Sequence, residues 1–334
     1  MPDSPTTASP EVKRPISVNA RSLLLLAVLV CAIPFLAGSY VQFVCLLALI
    51  NIIVTTGVNI SMGYCGLVSV GHAGFVAIGA YVTTLLMTYS SLSFAPAMLC
   101  GIVAAGIAGV VIGLPALRLS PLYIAMVTFG FGQAVNLILL NWIEVTGGPN
   151  GMAVPVPTFF GNDLSNTGIF LMTAVACFGS LWVAFNISRS RLGRAFIAIR
   201  ESEIAAQSMG VPIALYKTVA FAVSAMFGGL AGSLYALGSG YVNPDAFIFL
   251  ISIMYVTMCV AGGLGTIAGP VVGAIILTIL PELLRPFAEY KEFLSGLILL
   301  GFLVLMPRGL VPLLTSWKSR LMPKLARQPA PESV

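Results

Sequence analysis

Polar side chains inside long apolar stretches are the first residues that could do chemistry in this sequence. Asn51, Thr55 and Asn59 are spaced four residues apart, so on a helix they share one face. Ser69 and His72 lie in the next apolar stretch. A polar side chain facing lipid is costly, so these five should face other helices or a cavity. They could simply form hydrogen bonds between packed helices. As the functional alternative, they are candidates for lining a solute path.

A charged segment between two apolar stretches is the second candidate site. Residues 190–212 place Phe196 and Ile199 at helical spacing, and Gly210 followed by Pro212 ends the predicted helix. Such an amphipathic helix could lie on the membrane surface. Alternatively, it could present small and charged residues to a soluble partner. The candidate contact residues are Arg194, Arg200, Glu201, Glu203, Ala205, Ala206 and Gly210.

Motifs for enzymatic chemistry are missing from the sequence. It contains no G-x-x-x-x-G-K-[ST] loop, so it has no site of that type for ATP. It also shows no zinc signature, paired carboxylates or nucleophile–base pair, which predicts no metal, no cofactor and no enzymatic activity. The acidic residues lie in tails, in loops or at the ends of apolar stretches, whereas ion-coupled carriers usually hold an ionisable group at membrane depth. A secondary carrier that uses His72 and a passive channel are the rival hypotheses.

The composition predicts which elements must position these residues. The chain has 334 residues, of which 58% are hydrophobic and 8% are charged, while a soluble domain carries about 25% charged residues. Its surface must therefore face mostly lipid, and we predict an all-α polytopic membrane protein with about ten transmembrane helices. The predicted helices cover residues 22–39, 41–60, 67–88, 94–115, 121–141, 168–187, 213–238, 246–262, 267–284 and 293–311.

The distribution of basic residues predicts the orientation in the membrane. If both termini are cytoplasmic and each helix crosses the membrane, only Arg285 and Lys291 of the 16 basic residues fall outside, which leaves 14 inside. The net charge of +5 therefore reflects topology and does not indicate nucleic-acid binding. The predicted domains are a disordered cytoplasmic tail (1–20), a transmembrane domain (21–312) with a periplasmic loop (142–167) and a cytoplasmic loop (188–212), and a basic cytoplasmic tail (313–334). The outer loop divides ten helices into five and five, which allows an inverted repeat.

Small residues recur every four positions in three stretches of the sequence. This spacing lets helix backbones approach closely, and the contact replaces the hydrophobic drive that lipid does not provide. We therefore predict a tightly packed bundle. The three stretches are Gly101, Ala105, Gly109 and Gly113; Gly228, Gly232, Ala236 and Gly240; and Gly265, Gly269 and Gly273.

Four glycine-containing segments follow one another along the chain. They are residues 63–75 with the continuation 79–81, residues 193–210, residues 228–232 and residues 261–265. Taken together, they resemble the signatures of the branched-chain amino-acid ABC permease family and fit its M-type subunit. The resemblance extends from about residue 22 to residue 311, and in it residues 193–210 look like the cytoplasmic coupling loop.

The resemblance implies a transport function with several partners. It implies a permease in the bacterial inner membrane that pairs with a second homologous permease, two cytoplasmic ATPase subunits and a periplasmic solute-binding protein. The solute would be leucine, isoleucine, valine or a similar small apolar amino acid, moved by alternating access. Relatives that import urea or short amides leave that class open as well. Residues 204–206 depart from the usual Glu-Ala-Ala pattern, because Glu203 stands one place too early, so the residue that contacts the ATPase also stays open.

Overall fold

The structure is a computed structural model of the 334-residue chain. The two predicted tails and nearly all of the first and tenth predicted helices lie outside the described residues. The described residues are 38–116, 121–159, 162–285, 296–297 and 301.

Long apolar helices dominate the described part of the chain. Seven helical segments there are long and apolar enough to cross a membrane, and one further apolar helix of 16 residues is shorter. They coincide with predicted segments, which confirms an all-α polytopic membrane protein. The long helices are α1 (Ser39–Val58), α2 (His72–Tyr89), α3 (Phe94–Ala116), α4 (Pro121–Asn141), α6 (Asn166–Arg189), α9 (Ile213–Ser239), α10 (Phe249–Gly262) and α11 (Ala268–Leu283).

Short elements connect these helices and define the two ends of the bundle. Strand β1 pairs antiparallel with β4, with Met152 opposite Val242, so the loop after α4 and the end of α9 lie at one end, which we call the strand end. Helices α7 and α8 lie at the opposite end, which we call the α7–α8 end. The short elements are α5 (Ile143–Thr146), β1 (Met152–Ala153), β2 (Thr158–Phe159), β3 (Asn162–Asp163), α7 (Arg191–Glu201), α8 (Glu203–Ser208), β4 (Tyr241–Val242) and 3-10 turns at Gly148–Asn150 and Pro244–Phe247.

Helix α9 is the centre of the bundle and packs against α3, α2 and α1. Its glycines meet neighbouring backbones directly. A Cβ atom added at Gly232 would overlap the carbonyl of Val76 on α2, and one at Gly229 would lie 2.7 Å from the Cβ of Ala105 on α3. Because lipid gives helices no hydrophobic reason to associate, this close approach supplies the dispersion contacts that hold α9 in place.

The remaining small-residue stretches pack in the same way. A Cβ atom at Gly109 of α3 would lie 2.6 Å from the Cβ of Ala225 on α9. One at Gly273 of α11 would overlap the carbonyl of Met258 on α10. The predicted close packing is therefore confirmed at these glycines, whereas Gly240 ends α9 with a φ of +67° and has no described atom within 4 Å of a Cβ atom placed there. Helix α1 completes the bundle by packing against α11, α9 and α6.

The connection between α1 and α2 differs from the prediction. Helix α1 continues as a π-helical turn (Asn59–Tyr64), and α2 begins at His72 instead of residue 67. Residues 65–71 are irregular but mostly buried, and Gly66 has a φ of +75°, which favours glycine. A side chain at Gly71 would overlap the Thr128 carbonyl of α4, so the chain passes very close to α4 there. Hydropathy alone could not detect this interruption, because the irregular residues are as apolar as a helix.

The predicted single helix over residues 190–210 is also wrong in one respect. The chain forms two helices, α7 and α8, which are separated at Ser202. Ser202 is extended, with φ −162° and ψ 113°, and its hydroxyl accepts a hydrogen bond from the Ala205 amide at 3.3 Å. Serine is a favoured residue at the start of a helix, because its side chain satisfies one of the free amides there. The capping serine therefore starts a new helix.

The packing of α9 makes a testable prediction about a single methyl group. We expect Gly232→Ala to lower thermal stability, because the added Cβ overlaps the Val76 carbonyl and overpacking of this kind costs about 1–3 kcal/mol. Gly179→Ala on α6 is the matched control. No atom of the described residues lies within 4 Å of a Cβ atom placed at Gly179, so this variant should be neutral or slightly stabilising. Thermal unfolding of the two purified variants in detergent checks this; equal melting temperatures would contradict the packing.

Candidate functional site

The predicted polar face of α1 lies against α11. The Asn51 side-chain amide donates to the Thr278 hydroxyl at 2.9 Å. The Thr55 hydroxyl lies 2.7 Å from the Asn51 carbonyl and 3.3 Å from the Pro270 carbonyl. In this conformation, both side chains therefore contribute to the packing of α1 on α11.

Asn59 joins the end of α1 to the turn between α10 and α11. Its side-chain NH₂ donates to the Thr266 carbonyl at 2.8 Å, and its side-chain oxygen accepts from the Gly265 amide at 2.8 Å. The side chain is buried, and the turn contains two glycines with positive φ, Gly263 and Gly265. One amide group thus satisfies a donor and an acceptor of the same turn and fixes its position relative to α1.

His72 lies at the start of α2 and contacts α9. Its Nε2 atom is 2.7 Å from the Ser224 hydroxyl, which is itself 2.6 Å from the Gly57 carbonyl. Because a hydroxyl has one hydrogen and the carbonyl takes it, Nε2 is assigned as the donor to Ser224. The Nδ1 atom of His72 and the hydroxyl of Ser69 are fully buried without a hydrogen-bond partner among the described residues.

The irregular segment 65–71 is held by polar side chains from other helices. The Val70 amide donates to the Thr128 hydroxyl of α4 at 3.0 Å, and just after the segment, in the first turn of α2, the Ala73 amide donates to the Ser252 hydroxyl of α10 at 2.9 Å. Irregular backbone at membrane depth is tolerated only where protein or a cavity surrounds it. Sequence analysis missed Ser224 and Ser252, because a lone serine in an apolar helix has no distinctive spacing.

The α7–α8 segment is fastened to the bundle by packing and by an ion pair. Phe196 and Ile199 are buried, so the apolar face of α7 is turned into the protein. The Lys217 ammonium of α9 lies 2.7 Å from the Glu203 carboxylate. Lys217 is 4% exposed and Glu203 is 50% exposed, so water reaches one partner of this pair.

The predicted contact residues of the segment separate into two groups. Ala206 is 3% exposed and packs against its own chain in this conformation. Arg200 is exposed but also donates a hydrogen bond to the Gly63 carbonyl, so it contacts the bundle. Ile204 and Met209, which sequence analysis missed, are 81% and 87% exposed. The other predicted contact residues are also exposed: Arg194, Glu201, Glu203, Ala205 and Gly210.

Comparison with known proteins gives one family match. The family described as "Branched-chain amino acid transport system / permease component" matches residues 40–303. This range contains the polar face of α1, the irregular segment and the α7–α8 segment. It therefore includes every candidate site residue named above.

Individual relatives agree with the family match. The chain is 36% identical over 325 residues to the high-affinity branched-chain amino acid transport system permease protein LivM of Escherichia coli (strain K12), which covers 89% of this chain and 76% of that protein. It is 26% identical to permease protein LivH of the same system and strain, covering 78% and 90%. It is 30% identical to the autoinducer 2 import system permease protein LsrC of Klebsiella pneumoniae, covering 57% and 56%. No solved structure gives a significant match.

Asn59 gives the prediction that follows from this geometry. Asn59→Leu keeps the side-chain volume but leaves the Gly265 amide and the Thr266 carbonyl without a partner, at a cost of about 1–3 kcal/mol for each group. The control is Asn141→Leu, because Asn141 is exposed and, among the described residues, its side chain bonds within its own helix, to the Leu137 carbonyl. Thermal unfolding should show a clear loss for the first variant and little change for the second. Equal stability would mean that Asn59 does not fix the turn.

Proposed function

The chain belongs to the family of branched-chain amino acid transport system permease components, and we propose that it forms half of the translocation path of an ATP-driven importer. The proposed solute is leucine, isoleucine, valine or a similar small apolar amino acid. The α7–α8 segment carries this proposal, because it combines an exposed surface with attachment to the bundle. Through Arg200 it contacts two turns, the π-helical turn at Gly63 and the α10–α11 turn at Gly265, which we call the glycine turns. The likeness to LivM supports the solute class.

The α7–α8 segment has the properties of a docking site for a soluble ATPase. A helix lying on the membrane surface would turn its apolar face toward lipid, but Phe196 and Ile199 are buried in the bundle. The exposed surface instead combines the apolar Ile204 and Met209 with charged neighbours. Exposed apolar residues in such a setting are typical of a protein–protein contact. We therefore favour an ATPase contact that includes Ile204 and Met209 among the exposed residues.

Ser69 and His72 are the proposed solute-path residues in the irregular segment. Transporters commonly interrupt helices where a solute binds, because unwound backbone and helix ends offer polar groups there. Both residues are fully buried in this conformation, so the path is closed at their level. Rigid-body movement of the helices would open it alternately to each side. Asn51, Thr55 and Asn59, which bond to α11 and to the turn before it, are proposed as further path residues that move with these helices.

The partners follow from the same proposal. LivM and LivH are both permease proteins of one transport system in one organism, and both are similar to this chain, which supports pairing with a second homologous permease. Two cytoplasmic ATPase subunits and a periplasmic solute-binding protein complete the proposed importer in the bacterial inner membrane. The strand end, with residues 142–167, would face the periplasm, and the α7–α8 end and both termini would face the cytoplasm. Ten helices in two inverted halves of five remain the proposed arrangement.

Uptake of radiolabelled leucine into proteoliposomes that contain the assembled complex tests this function. We expect leucine uptake that requires ATP on the side of the α7–α8 segment and is not inhibited by excess urea. Uptake of urea but not leucine would overturn the proposed solute class. Leucine uptake driven by a proton gradient without ATP would overturn the mechanism and favour a secondary carrier.

The docking surface makes a second prediction. The double variant Ile204→Arg/Met209→Arg should place two new charges in the ATPase contact, so the ATPase should no longer co-purify with the permease. Val156→Arg is the matched control, because Val156 is similarly exposed but lies in the loop at the strand end. The control should retain wild-type amounts of ATPase. Full retention by the double variant would show that the ATPase binds elsewhere.

A further inference from the structure

We propose that Arg200 is the positioning residue that transmits movement of the α7–α8 segment to the glycine turns beside the solute path. This inference rests on the proposed function, since it concerns how an ATPase bound at α7–α8 would act on the bundle. It also changes the role assigned to Arg200 from sequence, where it was a candidate for direct contact with the ATPase.

Arg200 lies in the last turn of α7 and is exposed, and its side chain runs along the bundle surface to the Gly63 carbonyl. Its guanidinium donates to the carbonyl of Gly63, in the π-helical turn that ends α1. A Cβ atom at Gly265, in the turn between α10 and α11, would lie 2.7 Å from the Nη1 atom of Arg200. A Cβ atom at Gly66 would lie 3.2 Å from its Cγ atom. One side chain thus touches three glycines from two separate parts of the sequence.

Elementary electrostatics explains why an arginine is suited to this place. The last carbonyl groups of a helix have no partner within the helix and carry the negative end of its dipole. A guanidinium therefore forms a strong, charge-assisted hydrogen bond with the Gly63 carbonyl. The missing side chains of Gly66 and Gly265 leave room for the arginine, so bulkier residues there would displace it.

The contacted turns are themselves tied to the proposed path. Asn59 holds Gly265 and Thr266 from the other side, and Gly66 precedes Ser69 and His72 in the irregular segment. The Glu203–Lys217 pair gives the α7–α8 segment a second attachment, to α9. Movement of the segment would therefore pull on α9 through Glu203 and on α1 and the α10–α11 turn through Arg200.

Substitution of Arg200 tests this role in the assembled complex. Arg200→Gln should lower leucine uptake by at least about tenfold, because the charged hydrogen bond is lost. ATPase retention and ATP hydrolysis should stay near wild type, so transport becomes uncoupled. Arg200→Lys should recover part of the uptake, because it keeps a cationic donor. The control is Arg189→Gln, since the Arg189 guanidinium stacks 4.3 Å from the ring centre of Phe185 in its own helix.

A disulfide between positions 66 and 200 would restore the link between α7 and the bundle without the arginine. It therefore tests transmission separately from any direct contact of Arg200 with the ATPase. A Cβ atom at Gly66 would lie 3.6 Å from the Cβ atom of Arg200, within the range that a disulfide spans. In a background without the native cysteines, we expect Gly66→Cys/Arg200→Cys to transport when oxidised and to lose uptake when reduced. The single variant Gly66→Cys controls for the strain of a side chain at this glycine.

The outcomes distinguish this inference from the proposed function. If the wild-type complex shows no ATP-driven uptake, the proposed function fails. If the wild type transports and Arg200→Gln transports equally well, only the role of Arg200 is overturned. If Arg200→Gln loses both uptake and ATPase retention, Arg200 is an ATPase contact, and its proposed role in transmission is overturned. The proposed role is also overturned if the oxidised Gly66→Cys/Arg200→Cys variant is cross-linked and retains the ATPase but does not transport.

Discussion

Direct contact between helix backbones at glycines is the constraint on which the rest of this structure depends. In lipid, apolar side chains gain nothing by leaving one apolar environment for another, so helices associate where their backbones fit closely. Gly232 lies against Val76, and Gly229 lies against Ala105, which fixes α9 between α2 and α3. With α9 in place, α1, α2 and the α7–α8 segment meet at one end of the bundle. The four glycine-containing segments of the sequence thus form connected parts of one structure.

Polar groups at membrane depth add specificity to this packing. Asn59 satisfies both a donor and an acceptor of the α10–α11 turn, and Thr128 and Ser252 satisfy amides beside the irregular segment. Each bond replaces one that water would otherwise provide, so the bundle tolerates interrupted helices. The unpartnered atoms of Ser69 and His72 stand out against this background. Gln42 and Tyr81 also have a buried polar atom without a partner among the described residues, but Ser69 and His72 are the two that belong to the proposed solute path.

The sequence predicted the architecture well, because long apolar stretches and glycine spacing are local properties of the chain. It could not predict that α2 starts at His72, since the preceding irregular residues are equally apolar and only the approach to Thr128 sets them apart. It placed Arg200 and Ala206 among the partner contacts because both lie in a charged segment. The structure buries Ala206, and it directs the guanidinium of the exposed Arg200 to the Gly63 carbonyl, since the direction of a side chain depends on tertiary contacts. The role of Ser224 was likewise hidden, because its partner His72 is distant in the sequence.

The central claim is that the two ends of the bundle face different compartments and that the α7–α8 end faces the ATPase. Single cysteines at positions 204 and 156, in a background without native cysteines, test it through labelling with a membrane-impermeant maleimide. Both positions are exposed in the structure, so in a permease produced without its ATPase their accessibility depends on the side of the membrane. The account predicts that position 156 is labelled in intact spheroplasts and that position 204 is labelled only after lysis. Labelling of position 204 in intact spheroplasts would contradict it.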